Sequence, residues 1–253
     1  TSPEAKAQST NDEMAMAAAL DTRLAYFITG NPAVDSLSEA GLAALTEVVR
    51  ARTSVEGGPP MAVDPEIDEL AFFPLIYWPV TADLARLSEP ALARVDAYMK
   101  NGGTILFDTR DQQYAGIGSS LGGSTPERAR LQNLLRRLDV PPLVPIPQKH
   151  ILTRAFYLMQ TWPGRWSGGR VWVERHQGGI NDGVSSLVIG GHDWAAAWAT
   201  DKRRKPLVLP IPGGSRQREM ANRFGVNLVM YALTGNYKSD QVHIPAILER
   251  LGQ

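Results

Sequence analysis

With 253 residues, 43% of them hydrophobic and 21% charged, the chain has the make-up of an ordinary globular protein and the length to bury a full core. Lys and Arg number 26 and Asp and Glu 26, a balance that argues against a dedicated nucleic-acid binder, which shows a basic excess. Cysteine is absent. That excludes a disulfide scaffold, a thiolate metal site, a cysteine nucleophile and a redox dithiol.

Charge is segregated along the chain. Residues 1–140 carry 12 basic and 19 acidic side chains and residues 141–253 carry 14 and 7, so the halves have opposite sign and should attract or present opposed faces. No apolar run reaches the ~18 residues of a membrane span. Residues 1–21, rich in Ala, Ser and acids, read as a flexible leader or linker, and the Thr-Ser-Pro start reads as a piece of something longer. Residues 22–253 read as one domain.

Leu24 to Ile28 is a short apolar run that stops at Thr29-Gly30-Asn31-Pro32, a buried strand entering a turn. Ser36 and Glu39 have the spacing of a capping box, and Leu42, Leu45 and Val49 mark a helical face ending near Arg50 and Arg52. Met61 to Val63 reads as a short edge strand. Phe72 to Trp78 is continuously apolar, as a strand covered on both faces is, although Pro74 has no N–H for a ladder. Ser88-Glu89-Pro90 opens the next helix, with Leu92, Val95 and Met99 on its inner face and Gly102 as its stop. Thr104 to Phe107 is the following strand. Ser124 and Glu127 form a second capping box ahead of a face of Leu131, Leu134, Leu135 and Leu138.

Pro141 to Pro147 reads as an extended connector. Beyond it, Val171 to Val173 and Ser186 to Ile189 read as strands. Ala195 to Ala199 and Leu207 to Ile211 read as a hairpin around the solvated basic tip Lys202-Arg203-Arg204-Lys205, and Arg216 to Leu233 as a long helix stopped by Gly235. Strand–helix alternation through residue 140 predicts parallel pairing with right-handed crossovers. The fold class is a three-layer, mainly parallel α/β domain with an elaborated second half.

In such sheets ligands bind outside the carboxyl ends of the strands. The candidate ligand-binding residues there are Thr29, Asn31, Asp108, Arg110, Asp111 and His192. Asp108 closes an apolar strand, so its carboxylate is expected to be solvated, paired with Arg110 or aimed at a ligand. Asp108 with Asp111 offers an alternative, paired carboxylates on a hard cation or acting as acid and base. His192 beside Asp193, with Ser120 of Gly118-Ser119-Ser120-Leu121-Gly122, offers a hydrolytic one, although no strand directly precedes that Gly-x-Ser-x-Gly as a nucleophile elbow requires. His150, His176 and His243 lack metal-ligand spacing, and neither a metal nor a cofactor is expected. Trp162, Trp166, Trp172, Trp194 and Trp198 crowd the second half, where core packing and a stacking surface beside Gly164-Arg165-Trp166 are both open.

Several stretches together resemble one family. They are Arg23-Leu24-Ala25-Tyr26 with Thr29-Gly30, Glu69 to Leu75, Asn101 to Arg110, Gly190-Gly191-His192-Asp193-Trp194-Ala195, and Arg216 to Met220 leading into Phe224 to Gly235. The family is an uncharacterised bacterial domain of unknown function, found at the C-terminus of membrane proteins whose upstream part resembles aerotolerance-type and von Willebrand factor A-like proteins. The resemblance implies a class I glutamine amidotransferase-like, flavodoxin-related fold and no established activity. The amidotransferase Gly-x-Cys-x-Gly nucleophile has no counterpart in a chain without cysteine. The expectation is a non-catalytic ligand- or protein-binding domain at the periplasmic face of the inner membrane. Its expected partners are other domains of its membrane-anchored precursor or a membrane-associated complex.

Overall fold

A computed structural model describes residues 21–114, 124–175 and 185–251, with the backbone alone for 235–251. The strands are β1 (Ala25–Phe27), β2 (Met61–Val63), β3 (Leu75–Pro79), β4 (Thr104–Asp108), β5 (Leu143–Pro145), β6 (Trp172–Glu174) and β7 (Leu187–Gly190). They form one sheet in the order β2-β1-β3-β4-β7-β6-β5. The first five in that order are parallel, and β6 and then β5 join antiparallel at the far edge. The helices are α1 (Pro32–Arg52), α2 (Glu89–Lys100), α3 (Pro126–Leu135), the short α4 (Trp194–Trp198) and α5 (Gly214–Leu251). The mainly parallel α/β class predicted from the sequence is the observed one.

Alternation along the strands sorts the core into two layers, because successive side chains of a strand face opposite ways. Tyr26, Tyr77, Leu106 and Val188 meet α1, α4 and α5, while Phe27, Trp78, Phe107 and Ile189 meet α2 and α3. Burying each such side chain contributes about 1.5–3 kcal/mol. The Trp78 ring stacks on Phe107, and Trp198 donates its indole N–H to the Ala221 carbonyl at 2.8 Å.

Several element boundaries differ from the sequence expectation. Helix α1 starts at Pro32, capped by Asn31, whose side chain accepts from the N–H groups of Ala33 and Val34. An Asn cap followed by Pro at the first helical position outcompetes the downstream Ser36 box. Likewise α3 is capped by Thr125 ahead of Pro126, not by Ser124. Strand β3 begins after Pro74, which leaves the missing N–H outside the ladder. Ala195 to Ala199 is not a strand: Trp194–Trp198 is a buried helix, and only the tip from Thr200 to Pro206 turns back on itself. Alanine favours the helix where a fully buried site lacks a strand partner. Gly235 does not stop α5, whose backbone continues to Leu251. The Pro141 to Pro147 segment is extended as expected, and its centre pairs as edge strand β5.

Connections leave the sheet toward both faces. Strands β1 and β7 lead into α1 and α4 on one face, whereas β3 and β4 lead toward α2 and α3 on the other. The carboxyl edge therefore parts at β1/β3 and again at β4/β7, the kind of place where open α/β sheets form ligand crevices.

Helices α1 and α4 approach unusually closely. A Cβ at Gly41 would lie 2.4 Å from the Ala195 carbonyl oxygen and 2.8 Å from its Cα. Gly41→Ala should therefore destabilise by about 1–3 kcal/mol, reversing the ~1 kcal/mol gain of an open helical site. Urea denaturation of the variant checks the sign.

Candidate functional site

The β4/β7 parting is organised by Asp108, which has no exposed surface. Its register partner is Gly190, so the carboxylate stands between the last residues of β4 and the chain entering α4. Tyr77 Oη donates to Oδ2 at 3.0 Å and the Trp194 N–H at 2.8 Å, while the N–H groups of Arg110 and Asp193 donate to Oδ1 at 3.0 and 3.1 Å. Arg110 pairs with it through the main chain rather than through its guanidinium. The carboxylate is thus neither solvated nor paired with a cation: its partners are the first N–H groups of α4 and a tyrosine across the ladder.

Burial, with the nearby Asp193 carboxylate, raises the Asp108 pKa to about 7, against the pull of its three N–H donors. The Tyr77 hydroxyl is pushed well above its ordinary value by the same burial and by Asp108. Two residues flanking this centre, Arg110 and Asp193, hold left-handed φ values of 54° and 57°. For side chains other than glycine this costs roughly 1–3 kcal/mol each and persists only where neighbours over-determine it.

Asp111 faces the other way. Its carboxylate accepts from Thr109 Oγ1 at 2.6 Å and Thr125 Oγ1 at 2.5 Å, and Arg128 Nε lies 2.7 Å from it. It anchors the start of α3. Asp108 and Asp111 therefore serve opposite helical layers and share no donor. Among the described residues no group of three His, Asp or Glu side chains is arranged to hold a metal ion.

His192 is 1% exposed, and its ring stacks on Trp194 with centroids 4.6 Å apart. Burial lowers its pKa to about 4, partly opposed by its hydrogen bond to the Gly168 backbone, so the ring is neutral near pH 7. Its Nδ1 has no partner, nor does Asp193 Oδ1, whose other oxygen lies 3.3 Å from Arg165. Burial raises the Asp193 pKa, against the pull of Arg110 and Arg165. Ser120, the third member of the hydrolytic alternative, lies outside the described residues, as does His176.

Thr29 and Asn31 stand on the same edge but belong to the other parting. Thr29 donates its N–H and its hydroxyl to Asp35 at 2.9 and 2.6 Å, and Asn31 caps α1. Strand β3 separates them from Asp108.

A loop from Trp162 to Arg170 covers His192 and is pinned by a residue outside the site set read from the sequence. Gln217 Nε2 donates to the carbonyls of Gly164 and Arg165 at 2.9 Å and of Ile211 at 3.1 Å, while its Oε1 accepts from the Gly213 N–H at 2.9 Å. One amide thus ties two loops to the start of α5. A lone Gln on a helix carries no sequence signal for such a role.

The space at this parting is a cavity of about 530 Å³ on the α3 side. Leu131, Leu135, Leu143, Trp172 and Ile189 form its apolar body, and Thr109, Gln112, Arg128 and Arg170 its polar mouth. Arg128, Arg170 and Trp172 were absent from the predicted site set. The doubled glycine ahead of Arg170 was the available hint.

A family model described as Domain of unknown function (DUF4159) matches residues 23–233. The chain belongs to that family. The matched stretch holds the whole β4/β7 parting, its cavity and Gln217. No curated protein matches the chain.

Asp108 makes the site sensitive to pH. A carboxyl with a pKa raised to about 7 in the fold binds its proton more tightly there than in the unfolded chain. Its contribution to stability is present below the ordinary carboxylate range and is lost as pH rises through about 7, with Asp193 adding the same sign. Unfolding free energy should therefore fall from pH 5 to pH 8, and Asp108→Asn should flatten that fall. Asp108→Ala strands four donors at once and should cost about 4 kcal/mol or more, since each orphaned buried donor costs about 1–3 kcal/mol. Paired urea titrations at the two pH values measure both effects.

Proposed function

We propose that the domain is a non-catalytic binding module that takes a small ligand in the cavity beside α3, at the β4/β7 parting. The observation that carries this reading is the division of polar groups. Asp108 is enclosed by internal donors and Asp111 by Thr109, Thr125 and Arg128, while Arg170 and Gln112 line an apolar cavity of the size small-molecule sites have. His192 supports a role in shaping the loop rather than in proton transfer, since its buried ring stacks on Trp194 and hydrogen-bonds to the Gly168 main chain.

The wider setting belongs to the same proposal. The parallel order β2-β1-β3-β4-β7 supports a flavodoxin-related, class I glutamine amidotransferase-like classification. The family resemblance supports placing the domain at the C-terminus of an aerotolerance-type or von Willebrand factor A-like membrane protein, at the periplasmic face. Its partners would then be that protein's other domains or a membrane-associated complex. Among the described residues no helix is long and apolar enough to cross a membrane.

Thermal denaturation against a panel of nucleotides, aromatic carboxylates and sugar acids tests the binding reading. A ligand at a hundred times its Kd should add about 2.7 kcal/mol, or roughly 5–10 °C in Tm for a domain of this size. Leu135→Trp, which fills the cavity, should keep the fold and abolish the shift. Retention of the full shift in that variant would place the ligand elsewhere.

A further inference from the structure

The loop over His192 has a second cavity on its other side, of about 470 Å³, lying against α5. Both cavities are lined by Gly169, so this one loop separates them over the carboxyl edge of the sheet. Gly168 and Gly169 have φ of +78° and +79°, a conformation that side chains other than glycine rarely adopt, and the Gln112 amide lies against Gly169, its Oε1 2.3 Å from where a Cβ would stand.

The two chambers repeat one chemistry. Each has an indole, Trp172 in the first and Trp162 in the second, and each has an exposed arginine, Arg170 and Arg216. Neither lining includes an Asp or Glu, although the chain as a whole carries no net charge. Arg128 in the first chamber already faces Asp111, but among the described residues Arg170 and Arg216 have no carboxylate within 4.0 Å. Two indoles with cationic neighbours, separated by a glycine pair against which the neutral Gln112 amide lies, match a ligand with a ring system at each end and negative charge between them.

We infer that the two cavities form one bipartite site for a dinucleotide. One base lies toward Trp172 and the other toward Trp162, and the phosphates cross at the Gly168–Gly169 turn beside the Gln112 amide, between Arg170 and Arg216. Stacking on aromatic side chains accepts any base. The arginines supply charge-assisted hydrogen bonds to phosphate oxygens. The chain has no dinucleotide fingerprint of Gly-x-Gly-x-x-G type after a strand, so recognition here runs through side chains over the sheet edge rather than through a helix N-terminus.

This inference rests on the binding reading above and goes further in naming a ligand that spans both chambers. The experiment titrates the protein with NAD, diadenosine tetraphosphate and cyclic diguanylate, with AMP and GMP as one-ring comparators, reading tryptophan fluorescence and calorimetric heat. At least one two-ring ligand should quench the fluorescence and bind tenfold or more tightly than its mononucleotide. Arg170→Glu and Arg216→Glu, both at exposed positions and expected to fold, should each weaken it by tenfold or more, and Arg216→Glu should leave any binding of AMP or GMP in the first chamber unchanged. A two-ring ligand that is insensitive to Arg216→Glu, or no tighter than AMP or GMP, overturns the bipartite site while leaving the first cavity as a binding site. No binding by any of the three dinucleotides overturns the inference outright. Loss of the Leu135→Trp effect on every ligand would instead remove the binding reading beneath it.

Discussion

A carboxylate without exposed surface is costly unless it is fully hydrogen-bonded, and the carboxyl edge of this sheet is arranged around one. Asp108 gathers a tyrosine from β3, the main chain that follows its own strand, and the opening N–H groups of α4. Helix α4 has only five residues, and its N-cap Asp193 makes no side-chain cap of its own. Its first N–H groups would be orphans without an acceptor from across the sheet. The left-handed backbone of Arg110 and Asp193 follows from the same centre, since both donate their N–H to Asp108 Oδ1. The chain leaving β4 is thereby sent toward α3 and the chain leaving β7 toward α4, and the edge opens between them.

That opening separates structural polarity from available polarity. Asp108 holds α4, Asp111 holds α3 and Asn31 caps α1, so most of the acidic and amide groups read from the sequence as site residues are spent on starting helices. What faces the cavities is cationic or neutral: Arg128, Arg170, Arg216, Gln112, and two indoles. The neutral, stacked His192 and the Gln217 clamp keep the intervening loop in place from beneath.

The pattern of elements was legible where local chemistry acts alone. Ser88-Glu89-Pro90 began a helix, Gly102 stopped it with a φ of 93°, and Thr104 to Phe107 formed a buried strand, as their residue types require. Boundaries failed where two local signals competed. Asn31-Pro32 overrode Ser36, and Thr125-Pro126 overrode Ser124, because a cap with proline behind it presets the first helical turn. The Ala195 to Ala199 segment was misread because short apolar runs do not distinguish a buried helix from a strand.

By itself the sequence determined the class of fold and the edge on which polar residues would gather, since alternation of strands and helices forces parallel pairing and parallel strands end on one side. It also determined what chemistry is missing, because a chain without cysteine has no thiolate to offer. Only the tertiary structure decided which of those edge residues meet. It split Thr29 and Asn31 from Asp108 by the width of β3, turned Asp108 and Asp111 into opposite layers, and brought Arg170 and Arg216 to the two sides of one loop. The reason is that side-chain direction at a strand end depends on the face to which the next connection departs, and that choice is made by packing across the sheet, not by neighbours along the chain.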